Sequence, residues 1–189
     1  PQDGDVVTAG KKYLETPPEF QSGSEEAPKF DFSYKNPCLV SDQGNCLDQI
    51  MADASTINAA FEKNKEIIER YYAVQNMPLF MDPSRVISDR IPRYSYLIDV
   101  SKLIGGKALL DIKKDGLSSG IDWFESDLNF YNRICQSEQV SLIALMIAVA
   151  EYKINFYEVS KIKEDPTIDL AGNEDRLCKM LTVELDTGK

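Results

Sequence analysis

The stretch at residues 140–162 constrains the fold more than any other part of the chain. Its first half is an apolar run of 11 residues, 140–150, interrupted only by Ser141. A bilayer span needs roughly 20 such residues, and Glu151 and Lys153 follow at once, so a transmembrane helix is disfavoured. A helix that is apolar on every side is typical of a position surrounded by other helices. We therefore predict a buried central helix around which the rest of the chain is organised.

The side chains of this stretch fall into two groups by size. Ser141, Ala144, Ala148 and Glu151 lie at i, i+3, i+7 and i+10, which predicts a stripe of small side chains where a neighbouring helix approaches closely. The bulky side chains occupy the remaining faces. Because burial of each stabilises the fold by about 1.5 to 3 kcal/mol, we expect those of the first half to be buried: Leu142, Ile143, Leu145, Met146, Ile147 and Val149.

The rest of the apolar pattern predicts an all-α fold, an irregular bundle of five to seven helices. Helices are expected at 47–52, 55–75, 94–114 and 121–135, with a short helix at 84–90. A final short helix is expected to follow the N-cap signal Gly172-Asn173 and to hold Leu177, Cys178 and Leu181. The pair at 94–114 and 121–135, separated by the turn signal Asp115-Gly116, resembles one helical hairpin of the tetratricopeptide kind. Gly105-Gly106 is predicted to be a weak point in the first of these two helices.

The first 37 residues differ in composition from the rest of the chain. Five of the nine prolines lie there, at Pro1, Pro17, Pro18, Pro28 and Pro37. Proline removes a backbone donor and breaks helical periodicity. We predict a flexible or strap-like N-terminal arm at residues 1–37 and a single helical domain at residues 38–189.

Charge and composition narrow the function classes. The chain has no histidine and a formal net charge of -10. The missing histidine removes the Ser-His-Asp device and the commonest transition-metal ligand. The negative charge argues against nucleic-acid binding, which depends on clustered Lys and Arg. No glycine motif that cradles phosphate is present, so we expect no cofactor, and a cationic protein partner is favoured.

The four cysteines are Cys38, Cys46, Cys135 and Cys178. None shows the C-x-x-C spacing of zinc or redox sites, and an even number at wide spacing predicts two disulfides. The favoured pairing is Cys38 with Cys46, across the turn-forming segment SDQGN, and Cys135 with Cys178. Two other connectivities remain open, as does a cytosolic protein with four reduced thiols. Disulfides would place the chain in an oxidising compartment.

Two pairs of carboxylates are candidates for glycoside hydrolysis. Glu125 with Asp127 is one pair, and Glu151 with Glu158, seven residues apart on one helix, is the other. Their separation in the fold decides whether either pair has this role. A solvated or salt-bridged role is the alternative for each, and it is the interpretation we favour.

Two further groups of residues invite a functional reading. The acidic residues Asp165, Asp169, Glu174 and Asp175 lack the spacing and central glycine of a calcium loop, so a solvated acidic loop is favoured over a metal site. The aromatic residues at helical spacings, Tyr71 and Tyr131 among them, are interpreted as core. A groove lined by tyrosine hydroxyls, suited to a peptide or glycan, is the alternative.

Several short motifs resemble those of functionally uncharacterised helical proteins from proteobacteria, which are often anchored to the membrane at the N-terminus. The likeness covers residues 38–162, and the residues that carry it are Asn45-Cys46-Leu47, Glu69-Arg70-Tyr71, the segment 123–130, Ser141-Leu142-Ile143, Met146 and Ala148. The resemblance implies an all-helical fold and a location in the cell envelope. It implies no active-site residues.

We therefore expect a non-catalytic accessory or interaction module of the bacterial cell envelope, in the periplasm or on the outer face of a membrane, that binds another envelope protein. One alternative is an acidic inhibitor or immunity protein that binds a basic enzyme or toxin. Another is a carboxylate-based cell-wall hydrolase. The chain begins at Pro1 and not at methionine, which favours a processed chain whose signal or membrane tether was removed upstream, although a cloning boundary would leave the same start.

Overall fold

The computed structural model describes residues 34–39, 45–77, 95–137 and 140–182, and within these ranges the fold is all-α, as the sequence predicts. Seven α-helices are present there, with no strand. The α-helices are α1 (Cys46–Ala52), α2 (Ala54–Lys63), α3 (Lys65–Gln75), α4 (Ser95–Asp115), α5 (Ile121–Gln136), α6 (Leu142–Glu164) and α7 (Glu174–Leu181). Two short 3-10 turns, η1 (Pro37–Leu39) and η2 (Leu117–Ser119), complete the described part of the chain.

The central helix of the bundle is α4. Helices α1, α2, α3, α5 and α6 all pack against it, and buried apolar side chains line it from Val100 to Ile112. The prediction that residues 140–162 form the centre of the bundle is therefore wrong. Those residues do form a helix, α6, but it lies at the side of the bundle, packed mainly on α5 and α4.

One face of α6 is buried and the opposite face is exposed. Ala144, Ala148 and Glu151 are buried, which confirms the predicted stripe of small side chains at a helix contact. The bulky side chains were expected to be buried too, and this is wrong for four of them: Leu142, Ile143, Met146 and Val149 are exposed. Small side chains let α5 approach on one side of α6, and the bulky ones on the other side have no neighbouring helix among the residues that the structure describes.

Most predicted helix ends agree with the structure. Breaks occur at Gly116, at Ser137 and at Asp165, and α7 begins directly after Asn173. The predicted helix at 55–75 is divided at Asn64 into α2 and α3. Helices α4 and α5 are joined through η2 and contact one another, as expected of a hairpin. The predicted helix at 84–90 and nearly all of the predicted N-terminal arm lie outside the described residues.

The glycine pair does not break α4, contrary to the predicted weak point. Both residues are buried, and the helix continues through them. A Cβ atom on Gly105 would lie 2.6 Å from Oε2 of Glu158, and one on Gly106 would lie 2.9 Å from the ring of Tyr34. The missing side chains therefore make room for two residues from other parts of the chain.

One of the two predicted disulfides is present. The Sγ atoms of Cys38 and Cys46 are 2.07 Å apart, which joins η1 to α1. The predicted second bond is wrong, because Cys135 and Cys178 are free. Helix α7 is held near the start of α5 by ion pairs from Arg176. Cys135 lies about 15 Å farther along α5, at 1.5 Å per residue, beyond the reach of a disulfide.

Among the described residues, no helix combines the length and the apolar composition needed to cross a membrane.

Candidate functional site

Three carboxyl groups lie in the interior of the bundle, and we call them the buried acidic cluster: Asp127 from α5 and Glu151 and Glu158 from α6. Each is 0% exposed. The side chains that surround them come from five parts of the chain, and they are Asn36 before η1, Tyr71 and Gln75 of α3, Ser101 of α4, Tyr131 of α5 and Asn155 of α6. The cluster therefore connects α6 to three other helices and to the segment that precedes η1.

The carboxylate of Asp127 is saturated with hydrogen-bond donors. Its Oδ1 accepts from the hydroxyl of Tyr71 and from Nε2 of Gln75, both at 2.5 Å. Its Oδ2 accepts from Nδ2 of Asn155 at 2.7 Å and from Oγ of Ser101 at 3.3 Å. Burial raises the pKa of Asp127 to about 6, and these four hydrogen bonds oppose the rise. Asp127 is the member of the cluster best suited to carry a negative charge.

The two glutamates have fewer donors. Oε2 of Glu151 is 2.7 Å from Oγ of Ser101, and Oε1 of Glu158 accepts from Nδ2 of Asn36 at 2.5 Å. Oε1 of Glu151 and Oε2 of Glu158 have no hydrogen-bond partner among the described residues. Burial raises the pKa of Glu151 to about 8. Burial, together with the charges of Glu151 and Asp127, raises the pKa of Glu158 well above its usual range.

The hydroxyl group of Ser101 bridges Asp127 and Glu151. Its single hydroxyl proton cannot be donated to both Asp127 and Glu151, although its oxygen is within reach of both. A protonated Glu151 that donates to Ser101, which in turn donates to Asp127, satisfies all three groups. In this arrangement the glutamate is neutral and the aspartate is charged, in agreement with the order of their pKa values.

The raised pKa values of Glu151 and Glu158 favour their neutral forms, so the buried acidic cluster carries its charge on Asp127. No ion pair joins any of its three carboxyl groups to a basic side chain among the described residues. In the same part of the chain, no three His, Cys, Asp or Glu side chains are placed to hold a metal ion. Full burial with few hydrogen-bond donors, as at Glu151 and Glu158, favours the protonated form of a carboxyl group.

The fold brings one of the two predicted carboxylate pairs together and separates the other. Glu151 and Glu158 do share an environment, but both are sealed from solvent, so a polysaccharide does not reach them in this conformation. Glu125 and Asp127 are not brought together. Glu125 forms an ion pair with Arg176 at the surface, whereas Asp127 is in the interior.

The predicted acidic loop is only partly solvated. Asp169, Glu174 and Asp175 are exposed, as expected. Asp165 is not, because its carboxylate accepts from Nζ of Lys113 at 2.6 Å and from Oγ1 of Thr167 at 2.6 Å. Burial alone would raise the pKa of Asp165, but these contacts outweigh it and lower the pKa to about 2. Asp165 therefore joins α4 to the end of α6 in a structural role.

The exposed face of α6 carries large apolar side chains, which we call the apolar stripe. Leu142 is 72% exposed, Met146 63% and Val149 55%. Phe156 at 46% and Ile143 at 37% extend the same surface. Lys153, also exposed, lies between Val149 and Phe156. The stripe is on the side of α6 away from the buried Ala144, Ala148 and Glu151, so one helix carries both the acidic cluster and the apolar surface.

Sequence reasoning missed both features of α6, although a signal for each exists. The buried stripe continues past Glu151 to Asn155 and Glu158 with the same alternation of three and four residues, so polar side chains follow alanines on the packing face. For the apolar stripe the prediction of a core position is wrong, because hydropathy alone does not distinguish the two sides of a helix that is apolar all round; the small side chains of Ala144 and Ala148 mark the side that is packed.

No protein-family model, curated protein or solved structure matches this chain.

Proposed function

We propose that this protein is a non-catalytic interaction module of the bacterial cell envelope, which binds another envelope protein through the apolar stripe of α6. The observation that carries the proposal is the exposure of Leu142, Met146 and Val149 on one face of one helix. Contiguous exposed apolar side chains mark sites of interaction. Each such side chain gains about 1.5 to 3 kcal/mol on full burial, which a partner would supply.

One observation and one expectation from the sequence support the envelope location. Cys38 and Cys46 lie at bonding distance, and disulfides persist in oxidising compartments such as the periplasm. The resemblance that the sequence analysis finds in the short motifs at residues 38–162, among them Cys46, implies the same compartment.

The alternatives fit the geometry less well. A carboxylate-based hydrolase needs a pair of accessible carboxyl groups, and Glu151 and Glu158 are sealed inside the bundle. An acidic inhibitor of a basic enzyme is favoured by the net charge of -10. Such a complex would weaken strongly between low and moderate salt, because screening acts on exposed charges, whereas binding through the apolar stripe would change little.

Photo-cross-linking in cells tests the proposal. A photoreactive amino acid is placed at Val149 in the full-length chain, with Ala73, exposed on α3, as the matched control. We expect a discrete adduct with one envelope protein from position 149, no such adduct from position 73, and its loss in the Met146→Glu variant. Because Met146 is exposed, this variant should keep the melting temperature of the parent, which verifies that folding is intact.

Three results of this experiment would contradict the proposal. They are an adduct only within the same chain, an adduct only with lipid, and adducts equally abundant from positions 149 and 73. An adduct whose yield in extracts falls steeply with added salt and is insensitive to Met146→Glu would favour the acidic-inhibitor alternative instead.

A further inference from the structure

Five exposed residues of α6, four from the apolar stripe together with Lys153, have the spacing of a contact between two helices, and we call these five residues the seam. Leu142, Met146, Val149, Lys153 and Phe156 follow one another at alternating intervals of four and three residues. This average period of 3.5 is the pattern by which one helix packs along another at a shallow angle. A flat sheet edge or an irregular loop would not require this spacing. The shape of the surface therefore favours a helix as its occupant.

Lys153 makes the seam selective. It is the only charged side chain among the five seam residues. It is exposed, and it has no ion-pair partner among the described residues. Covering its ammonium group with an apolar surface would leave a buried, unpaired charge, which is strongly unfavourable. An occupant that brings a carboxylate to this position is therefore favoured over one that does not.

Helix α6 itself offers no carboxylate for this purpose. Glu151 and Glu158 face the interior, and Glu164, more than three turns along the helix, pairs with Lys161. The side chains that flank the seam beside Lys153, Ala150 and Tyr157, are uncharged. A carboxylate opposite Lys153 is therefore expected from the occupant.

A second copy of this chain does not meet the requirement. Parallel pairing of two α6 helices would place the two Lys153 ammonium groups against each other. Antiparallel pairing centred on Val149 would place Lys153 opposite Met146, because the two residues are nearly equidistant from the centre. Two chains that each carry a net charge of -10 also repel one another. The seam is therefore better suited to a different protein.

We propose that the partner of α6 contributes an amphipathic helix whose apolar residues repeat at alternating three- and four-residue intervals and which places an Asp or Glu side chain opposite Lys153. This inference rests on the interaction function proposed above and specifies the chemistry of the partner. The apolar residues of that helix bury the stripe, and its carboxylate pairs with Lys153. The charge pair sets the register, as single polar residues do in helical seams.

A pair of synthetic helices tests this chemistry with the full-length protein. Both are 21-residue probes with leucine at seam positions, about three heptads long, and they differ only in the central seam residue, Glu in one and Lys in the other. We expect the Glu probe to bind about tenfold tighter than the Lys probe, since like charges in an interface are unfavourable. The Lys153→Glu variant should reverse this preference, and Lys65→Glu, at an exposed site on α3, should leave it unchanged.

The outcomes separate this inference from the proposed function. Equal binding of both probes, or a preference that Lys153→Glu does not reverse, overturns the partner chemistry, and so does the absence of any probe binding. In each case a discrete cross-link from position 149 would leave the interaction function intact. Dimerisation of the full chain that Met146→Glu abolishes, or Met146-dependent binding to anionic lipid vesicles, would assign the stripe to another occupant and also overturn the inference.

Discussion

Gly105 and Gly106 show how a residue that is locally unfavourable serves the fold as a whole. Glycine inside a helix is less favourable than alanine by about 1 kcal/mol, and from the sequence this pair is a weak point of α4. In the structure it lies against the carboxyl group of Glu158 and the ring of Tyr34. That reason is a long-range contact, so local helix propensity could not reveal it.

The first prediction concerns Gly105→Ala. In an ordinary helix this change would stabilise the protein by about 1 kcal/mol. Here the new Cβ would lie 2.6 Å from Oε2 of Glu158, and moving that carboxyl group would break its hydrogen bond with Asn36. We expect the free energy of unfolding to fall by about 1 to 3 kcal/mol, the usual result of overpacking. Urea denaturation measures it.

The same substitution in a Glu158→Ala background is the control for this prediction. Without the carboxyl group the clash is absent, so Gly105→Ala should become neutral or stabilising. If Gly105→Ala lowers the free energy of unfolding equally in both backgrounds, contact with Glu158 is not the reason for the glycine.

At the scale of whole helices, the sequence predicts positions well and surroundings less well. The all-α class, the breaks at Gly116 and Asp165 and the start of α7 follow from turn residues and periodicity. The central place of α4 does not, because it depends on which helices surround it. The sequence predicts a central position for α6 because its apolar residues cover every face, and such a helix gives no hydropathy signal for the side that is buried.

The apolar stripe and the buried acidic cluster differ in how well they can be predicted from the sequence. The small side chains at Ala144 and Ala148 were a sufficient signal for the packing face of α6, and the bulky residues opposite them form the apolar stripe. The buried acidic cluster is harder to foresee, because it combines side chains from α3, α4, α5 and α6. A sequence pattern reports single elements, and three-dimensional neighbours arise only when the helices assemble.

The connection between η1 and α1 yields the second prediction. Replacing both Cys38 and Cys46 with serine should lower the free energy of unfolding by about 2 to 3 kcal/mol, from the loop entropy that a short disulfide ring removes from the unfolded chain. Their sequence separation is 8. Replacing Cys135 and Cys178, which are free, should change stability less. Urea denaturation of the two double variants compares them directly.

Thiol alkylation checks the same pairing without any substitution. The natively purified, unfolded and unreduced protein should take up two alkyl groups, at Cys135 and Cys178, as measured by mass spectrometry. Four alkyl groups would show that the disulfide is absent and would remove one support for the envelope location. Uptake of no alkyl groups would show that Cys135 and Cys178 also form a disulfide, contrary to the structure.

At the scale of the whole molecule, the buried acidic cluster determines how stability depends on pH. The pKa of Glu151 rises from 4.5 to about 8 on folding, so between these values the folded protein holds a proton that the unfolded chain has released. Unfolding therefore becomes easier as pH rises, by up to about 1.4 kcal/mol per pH unit for each such group. The contribution of Glu151 is complete below its unfolded pKa and is lost as pH rises through about 8. Asp127, raised from 3.8 to about 6, acts in the same direction.

The third prediction follows for Glu151→Gln, a neutral side chain of the same shape. Between pH 5 and pH 7 the free energy of unfolding of the parent should fall by about 2 to 3 kcal/mol relative to that of the variant. The reason is that only the parent releases a proton at residue 151 when it unfolds in this interval. Urea denaturation at several pH values measures the difference.

Glu69→Gln, at an exposed position on α3, is the control and should follow the parent at every pH. Parallel curves for the parent and Glu151→Gln would show that Glu151 is already ionised in the folded protein. The proton shared through Ser101 would then have to be placed elsewhere in the cluster.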